Sequence, residues 1–155
     1  CYLIKKSFFN YKKSITKKNV SRFITHMAPC IEVVGYRQRK KGIKSFGDLC
    51  SDFGGSVKFL IGKKKKYKKI DVGNLKTVLS NKKINQVVNG NTKTVFKNPL
   101  NSLKFVLNKI KKDKVNIKKD FWIFTGSTVG VVPIKGKGIY NGNIEKLGSV
   151  KATIN

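Results

Sequence analysis

The 155 residues carry 35 Lys and Arg against seven Asp and Glu, a formal charge of +28 at neutral pH. Internal pairing cannot neutralise that excess, so the composition implies a polyanionic partner, with phosphate backbones the first candidate. A hydrophobic content of 39% excludes a simple disordered polycation, and the length suits one domain with a tail.

The first acidic residue is Glu32, and seven Lys or Arg precede it. Residues 1–27 therefore read as a basic N-terminal extension lying on nucleic acid, although the composition also resembles a transit peptide. Lys outnumbers Arg 32 to three, and Asn, Ile and Phe are abundant, a bias that AT-rich coding DNA of an organellar kind explains. Cys1, Cys30 and Cys50 are odd in number and widely spaced, so buried thiols in a reducing compartment are expected rather than a disulfide framework or a metal site. No apolar run approaches the ~18 residues of a membrane span, and no membrane partner is expected.

Strand signals dominate from residue 30 onward. Cys30 to Gly35 is a short β-branched run, followed by the basic turn Arg37 to Gly42 and a Gly-Asp turn at Gly47-Asp48, where Asp48 reads as a side-chain cap. Ser56 to Ile61 alternates as a half-buried strand does and runs into the lysine block Lys63 to Lys69. Asp71 to Asn74 reads as a turn before a strand at Leu75 to Leu79. Gln86 to Phe96, with Asn89-Gly90 at its centre, has the pattern of a two-residue hairpin. After an Asn98–Asn101 turn, Phe105 to Leu107 reads as another strand, and Phe121 to Phe124 is the most apolar tetrad, a core element before a stacking surface. Helical periodicity is weak, best between Leu103 and Ile117. Residues 126–148 look turn-dominated.

Two basic loops are the candidate RNA-binding sites. One holds Arg37, Arg39, Lys40 and Lys41, where two of the three Arg favour planar phosphate contact. The other holds Lys63, Lys64, Lys65, Lys66, Tyr67, Lys68 and Lys69, with Tyr67 available to stack on a base or sugar. Catalytic chemistry finds no support: His26 is the only histidine and has no acid nearby in sequence. The glycines at 126, 130, 136 and 138 match neither phosphate-loop pattern. No catalytic residue, cofactor or metal is expected.

The order of these segments resembles the universal large-subunit ribosomal protein fourteen family in its bacterial and organellar form. The run Cys30–Gly35, the Ser45–Asp48 turn, the loop ending Lys68-Lys69-Ile70-Asp71-Val72, the hairpin and Phe105–Asn108 follow one another as in that family, over residues 28–108. The resemblance implies a mainly β fold with a small five-stranded antiparallel β-barrel over residues 28–125, preceded by the extension at 1–27 and followed by a divergent Gly-rich C-terminal segment at 126–155. It also implies a non-enzymatic constituent of the mitochondrial large ribosomal subunit in the matrix. Its partners would be large-subunit rRNA, small-subunit rRNA across the interface, neighbouring ribosomal proteins and a ribosome-silencing factor. The alternative is an organellar single-strand nucleic-acid-binding protein with an OB-like barrel. An RNA-modifying or nucleotide-using enzyme is the rival from a different class.

Overall fold

The computed structural model describes residues 1–37, 45–68 and 70–155. Ten strands and two α-helices follow in chain order: β1 (Tyr2–Ile4), β2 (Ile24–Met27), β3 (Cys30–Val34), α1 (Phe46–Ser51), β4 (Ser56–Ile61), β5 (Lys65–Lys66), β6 (Lys76–Asn81), β7 (Gln86–Asn91), α2 (Pro99–Lys112), β8 (Phe121–Ile123), β9 (Gly138–Ile144) and β10 (Gly148–Ile154). The strands form two four-stranded sheets, β5-β2-β1-β8 and β10-β9-β6-β7, and a two-stranded β3-β4 pair. The pairings are antiparallel throughout. The mainly β expectation holds, but among the described residues no barrel closes. Each sheet ends on free edges, because β3 pairs with β4 and not with the strand before it.

The first 27 residues do more than extend the chain. Tyr2 and Ile4 alternate inward from β1, and Phe8, Ile15, Val20, Phe23, Ile24 and Met27 join them in the main core cluster. Helix α2 covers this cluster. Its Leu103 and Leu107, four apart and so on one face, are completely buried. The helix starts where the Asn98–Asn101 turn is predicted. Asn98 caps it by accepting the Leu100 N–H at 2.9 Å, and Pro99 fills the first turn, where a missing N–H costs nothing. Phe105 to Leu107 is therefore helix and not strand; the 3.6-residue spacing of Leu103, Leu107 and Ile110 overrides the local strand preference of Phe105 and Val106. The same helix holds the N-terminal loop. Asn108 accepts the Ile15 N–H at 3.0 Å and donates to the Ile15 carbonyl at 2.9 Å, while Lys111 Nζ donates to the carbonyls of Tyr11 and Lys13, both at 2.6 Å.

The expected hairpin at Asn89-Gly90 lies elsewhere. Both residues belong to β7 and are paired, Asn89 with Val78 and Gly90 with Thr77. The reversal comes earlier, at Lys82–Ile84, with Asn85 in the left-handed region at φ 49°. Asn tolerates that conformation, and Asn81 accepts the Lys83 N–H to fix the turn. Residues expected to be turn-rich, 126–148, contain β9, which sits between β10 and β6 in the sheet.

The Gly-Asp turn opens α1. Ser45 Oγ accepts the Asp48 N–H at 3.1 Å, and the Asp48 carboxylate accepts the Ser45 N–H at 2.9 Å, a reciprocal cap that bears out the reading of Asp48. Val57, Phe59 and Ile61 on β4 stay exposed on one face, as do Phe46 and Phe53 beside them. The three thiols are free; Cys1 and Cys30 are half-buried and Cys50 is exposed, so none is the buried thiol expected. No helix among the described residues is long and apolar enough to cross a membrane.

Leu103 makes the dependence on this core measurable. Leu103→Ala is expected to destabilise the protein by about 2–5 kcal/mol in chemical denaturation, the range for a buried leucine leaving a cavity.

Candidate active-site cavity

A cavity of about 550 Å³ lies between β3, the β10-β9-β6 side of the second sheet and the loop from Phe124 to Ile134. That loop is tied down from two directions. Ser102 on α2 donates to the Thr125 carbonyl at 2.7 Å and the Asn91 N–H to the Thr128 carbonyl at 3.2 Å, while Thr94, whose hydroxyl donates to the Asn91 carbonyl at 2.8 Å, lies with its Oγ1 3.4 Å from the Ser127 carbonyl. Ser127 turns the loop by donating to the Gly130 carbonyl at 2.7 Å. The approach to β7 is possible only because residue 90 has no side chain: a Cβ there would lie 2.1 Å from the Thr128 oxygen.

The walls are mostly apolar, with Ile31, Leu79, Phe124, Ile144 and Val150 among them. Glu32 supplies the charge. It leaves β3 on the face that also carries Cys30 and Val34, and its Oε1 accepts the Ser56 hydroxyl at 2.6 Å from the paired strand β4. Thr77 lines the wall from β6 and is only 3% exposed, yet its Oγ1 has no hydrogen-bond partner among the described residues. The register explains this. Its cross-strand neighbours are Gly90, which has no side chain, and Ile144, which has no polar atom. Thr92 is buried nearby in the wall, where its Oγ1 accepts the Leu75 N–H at 2.8 Å. Tyr2 also lines the cavity; burial, with Tyr67 and Cys30 adding to it, pushes its hydroxyl far above the usual phenol range and keeps it neutral. Among the described residues, no Lys, Arg or His lines the cavity.

The sequence-predicted site residues lie outside it. Arg37 is engaged within the chain. Its Nη1 donates to Asp52 Oδ1 at 2.7 Å, its N–H donates to Oδ2 at 3.1 Å, its Nη2 donates to the Ser56 carbonyl, and its guanidinium lies 5.8 Å from the Phe53 ring centre. Lys63, Lys64 and Lys68 are exposed, and Lys65 and Lys66 form β5 on the edge of the first sheet, opposite Met27 and His26. Lys65 Nζ donates to the Lys146 carbonyl at 3.2 Å. Tyr67 lies edge-on to Tyr2 at 6.5 Å between ring centres and packs, half-buried, against the core cluster. Arg39, Lys40, Lys41 and Lys69 lie outside the described residues.

Sequence reasoning missed the cavity residues. Glu32 stands within the Cys30–Gly35 strand run, and the Gly126–Gly130 segment matches no phosphate-loop pattern. Nothing in the sequence pointed to Thr77.

No family model and no curated relative matches the chain. Solved structures do. The chain is similar to 4-oxalocrotonate decarboxylase from Pseudomonas putida G7 complexed with magnesium and adipate, with a TM-score of 0.76 and 23% identity over 90% of this chain and 52% of that one. It is also similar to the same enzyme complexed with calcium and acetate, with a TM-score of 0.73 and 20% identity over 98% of this chain and 56% of that one. At that identity the likeness establishes the fold alone. The chain spans about half the length of these neighbours.

This overturns the ribosomal reading. The collinear short motifs fit another architecture: the Cys30 run pairs only with β4, and the supposed Phe105 strand is helix. With the resemblance go the rRNA, ribosomal-protein and silencing-factor partners and the expectation of a non-enzymatic constituent, since the neighbours are enzymes. The single-strand-binding alternative is likewise without support.

Two outcomes follow from this geometry. Gly90→Ala is expected to lift residues 124–134 off β7, shifting their amide resonances and costing about 1–3 kcal/mol in chemical denaturation. The second concerns Asp52, whose carboxyl the Arg37 side chain and then its N–H hold below the ordinary range. A depressed native value means the carboxylate stabilises the fold at neutral pH and that this contribution disappears as pH falls through it, from about pH 5 downward. Asp52→Asn is therefore expected to flatten the acid limb of the stability–pH curve measured by thermal unfolding.

Proposed function

We propose that this chain is the cavity-bearing part of an enzyme that moves a proton on a small carbonyl compound. The observation that carries the reading is the placement of a solvent-exposed carboxylate, Glu32, on the wall of a mainly apolar cavity that hydroxyl side chains also line, in a fold shared with a decarboxylase. Loss of carbon dioxide leaves an electron pair on carbon that must take up a proton, and a positioned carboxyl group is suited to supply it. In the reverse sense the Glu32 carboxylate removes a proton from the carbon beside a carbonyl, leaving an enolate, and the resulting acid returns it. The Ser56 hydroxyl, donating to Oε1, orients the group and leaves Oε2 for the ligand.

The neighbours are complexed with magnesium or calcium, both hard cations that select several oxygen ligands. The residues of this chain do not match that demand. Among the described residues Glu32 is the only carboxylate in the cavity wall, the other side-chain oxygens there are neutral hydroxyls and one amide, and no three His, Cys, Asp or Glu converge. No step of the proposal is routed through a metal.

The test is deuterium exchange, followed by proton NMR, at the carbon beside the carbonyl in a panel of small ketones and 2-oxo acids in heavy water. Exchange above the buffer rate is expected for at least one compound, and Glu32→Gln is expected to slow it by about 10²–10⁴-fold, the usual range for a positioned acid–base group. Exchange that never exceeds buffer, or that survives the substitution, overturns the proposal.

A further inference from the structure

We infer that Cys1 and Cys30 form a dithiol modification site on the cavity wall, which closes to an intramolecular disulfide on exchange with a small disulfide such as oxidised glutathione. The inference is independent of the proton-transfer reading, because mass and stability test it and turnover does not.

Sheet register makes this pair, which sequence spacing hides. Tyr2 pairs with Met27 across β1 and β2, and the ladder runs one step further. The Cys1 nitrogen donates to the Ala28 carbonyl at 2.9 Å, and the Ala28 N–H donates to the Cys1 carbonyl at 3.1 Å. Reciprocal bonding of this kind holds two residues at about 5.5 Å between Cα atoms. Pro29, fully buried and restricted in φ, then carries the chain into β3. There the Cys30 Sγ comes back to 3.5 Å from the Cys1 nitrogen, while the Cys1 Sγ lies 3.5 Å from the Ala28 carbonyl. Both sulfurs thus gather at one backbone pair, and rotation about the Cys1 Cα–Cβ bond is the movement that joins them.

The surroundings make the pair reactive instead of merely packed. Both side chains are half-buried and both line the cavity of about 550 Å³, which admits a small disulfide. Glu32 follows two residues after Cys30 in the same wall, so a bond formed here alters the cavity beside the carboxylate. Cys50 is exposed on α1 and absent from the wall, which makes it the internal control.

The exchange balances. One cysteine, as thiolate, attacks a sulfur of oxidised glutathione, giving a mixed disulfide and releasing one glutathione thiolate. The other cysteine, as thiolate, attacks the protein sulfur of that mixed disulfide and expels the second glutathione. Two protein thiols are oxidised, one glutathione disulfide is reduced, and the two protons pass to the released thiolates.

The experiment treats the reduced 155-residue protein with oxidised glutathione, blocks remaining thiols with iodoacetamide and maps the products by peptide mass spectrometry. The Cys1 and Cys30 peptides are expected joined, with the loss of two hydrogens, while Cys50 carries one glutathione. Closing the loop from Cys1 to Cys30 is expected to raise the thermal unfolding midpoint by about 5–10 °C, reversibly with dithiothreitol. Cys30→Ser should abolish the rise and leave Cys1 with a stable glutathione. Cys50→Ser should keep both the bond and the rise, which separates the pair from any general effect of thiol loss. Separate glutathiones on Cys1 and Cys30 in the parent, a bond between two molecules, or a pair that stays reduced while Cys50 reacts overturns the inference.

Discussion

Apolar burial has to hold this fold, because charge pairing cannot. With seven acids available, the described residues make two ion pairs, Arg37 with Asp52 and Lys109 with Asp113. The first is half desolvated; the second is an exposed i, i+4 pair of the kind worth a few tenths of a kcal/mol. What remains is the cluster built from β1, the following turns, β2 and α2, where Ile4, Phe8, Val20, Leu103 and Leu107 are fully buried. Lysines contribute by other means. Lys111 and Lys65 donate to backbone carbonyls, which lets a cation satisfy a loop or hairpin without needing an acid.

The local β signals were readable. The runs at Cys30, Ser56 and Leu75 are strands because β-branched and aromatic residues pack on a pleated surface, and the apolar tetrad at Phe121 supplies β8. The turn at Asp71 was readable too, since its carboxylate accepts the Gly73 N–H. Pairing was not. Asn89-Gly90 looked like a reversal, but what the sequence could not show is that the Phe124–Ile134 loop would lie against this strand and require glycine for its own reason. β9 was hidden because its Asn141-Gly142 pair resembles a turn, whereas Gly142 is there to admit the Ile31 side chain from β3. Both errors have one cause: a glycine that allows close approach and a glycine that turns the chain look alike in sequence.

The site was less legible than the fold for a related reason. Long basic runs dominate the sequence, but the exterior is where solvent tolerates them. The cavity wall depends on single residues from distant segments, Glu32, Thr77 and the loop beyond β8, brought together by sheet order. Short collinear motifs then suggested a wrong relationship, because strand-plus-basic-turn patterns recur in many β-rich chains.

The exposed apolar side chains of β4, with Phe59 only partly covered by the Phe124 ring 4.7 Å away, have their own consequence. Two molecules would adhere through these side chains were the molecules not held apart by mutual repulsion of +28 each. Added electrolyte shortens the reach of that repulsion from tens of ångströms at millimolar strength to a few at molar. The protein's colloidal behaviour is thus inverted relative to ordinary salting-in: dilute buffer keeps it dispersed, and brine brings these side chains together.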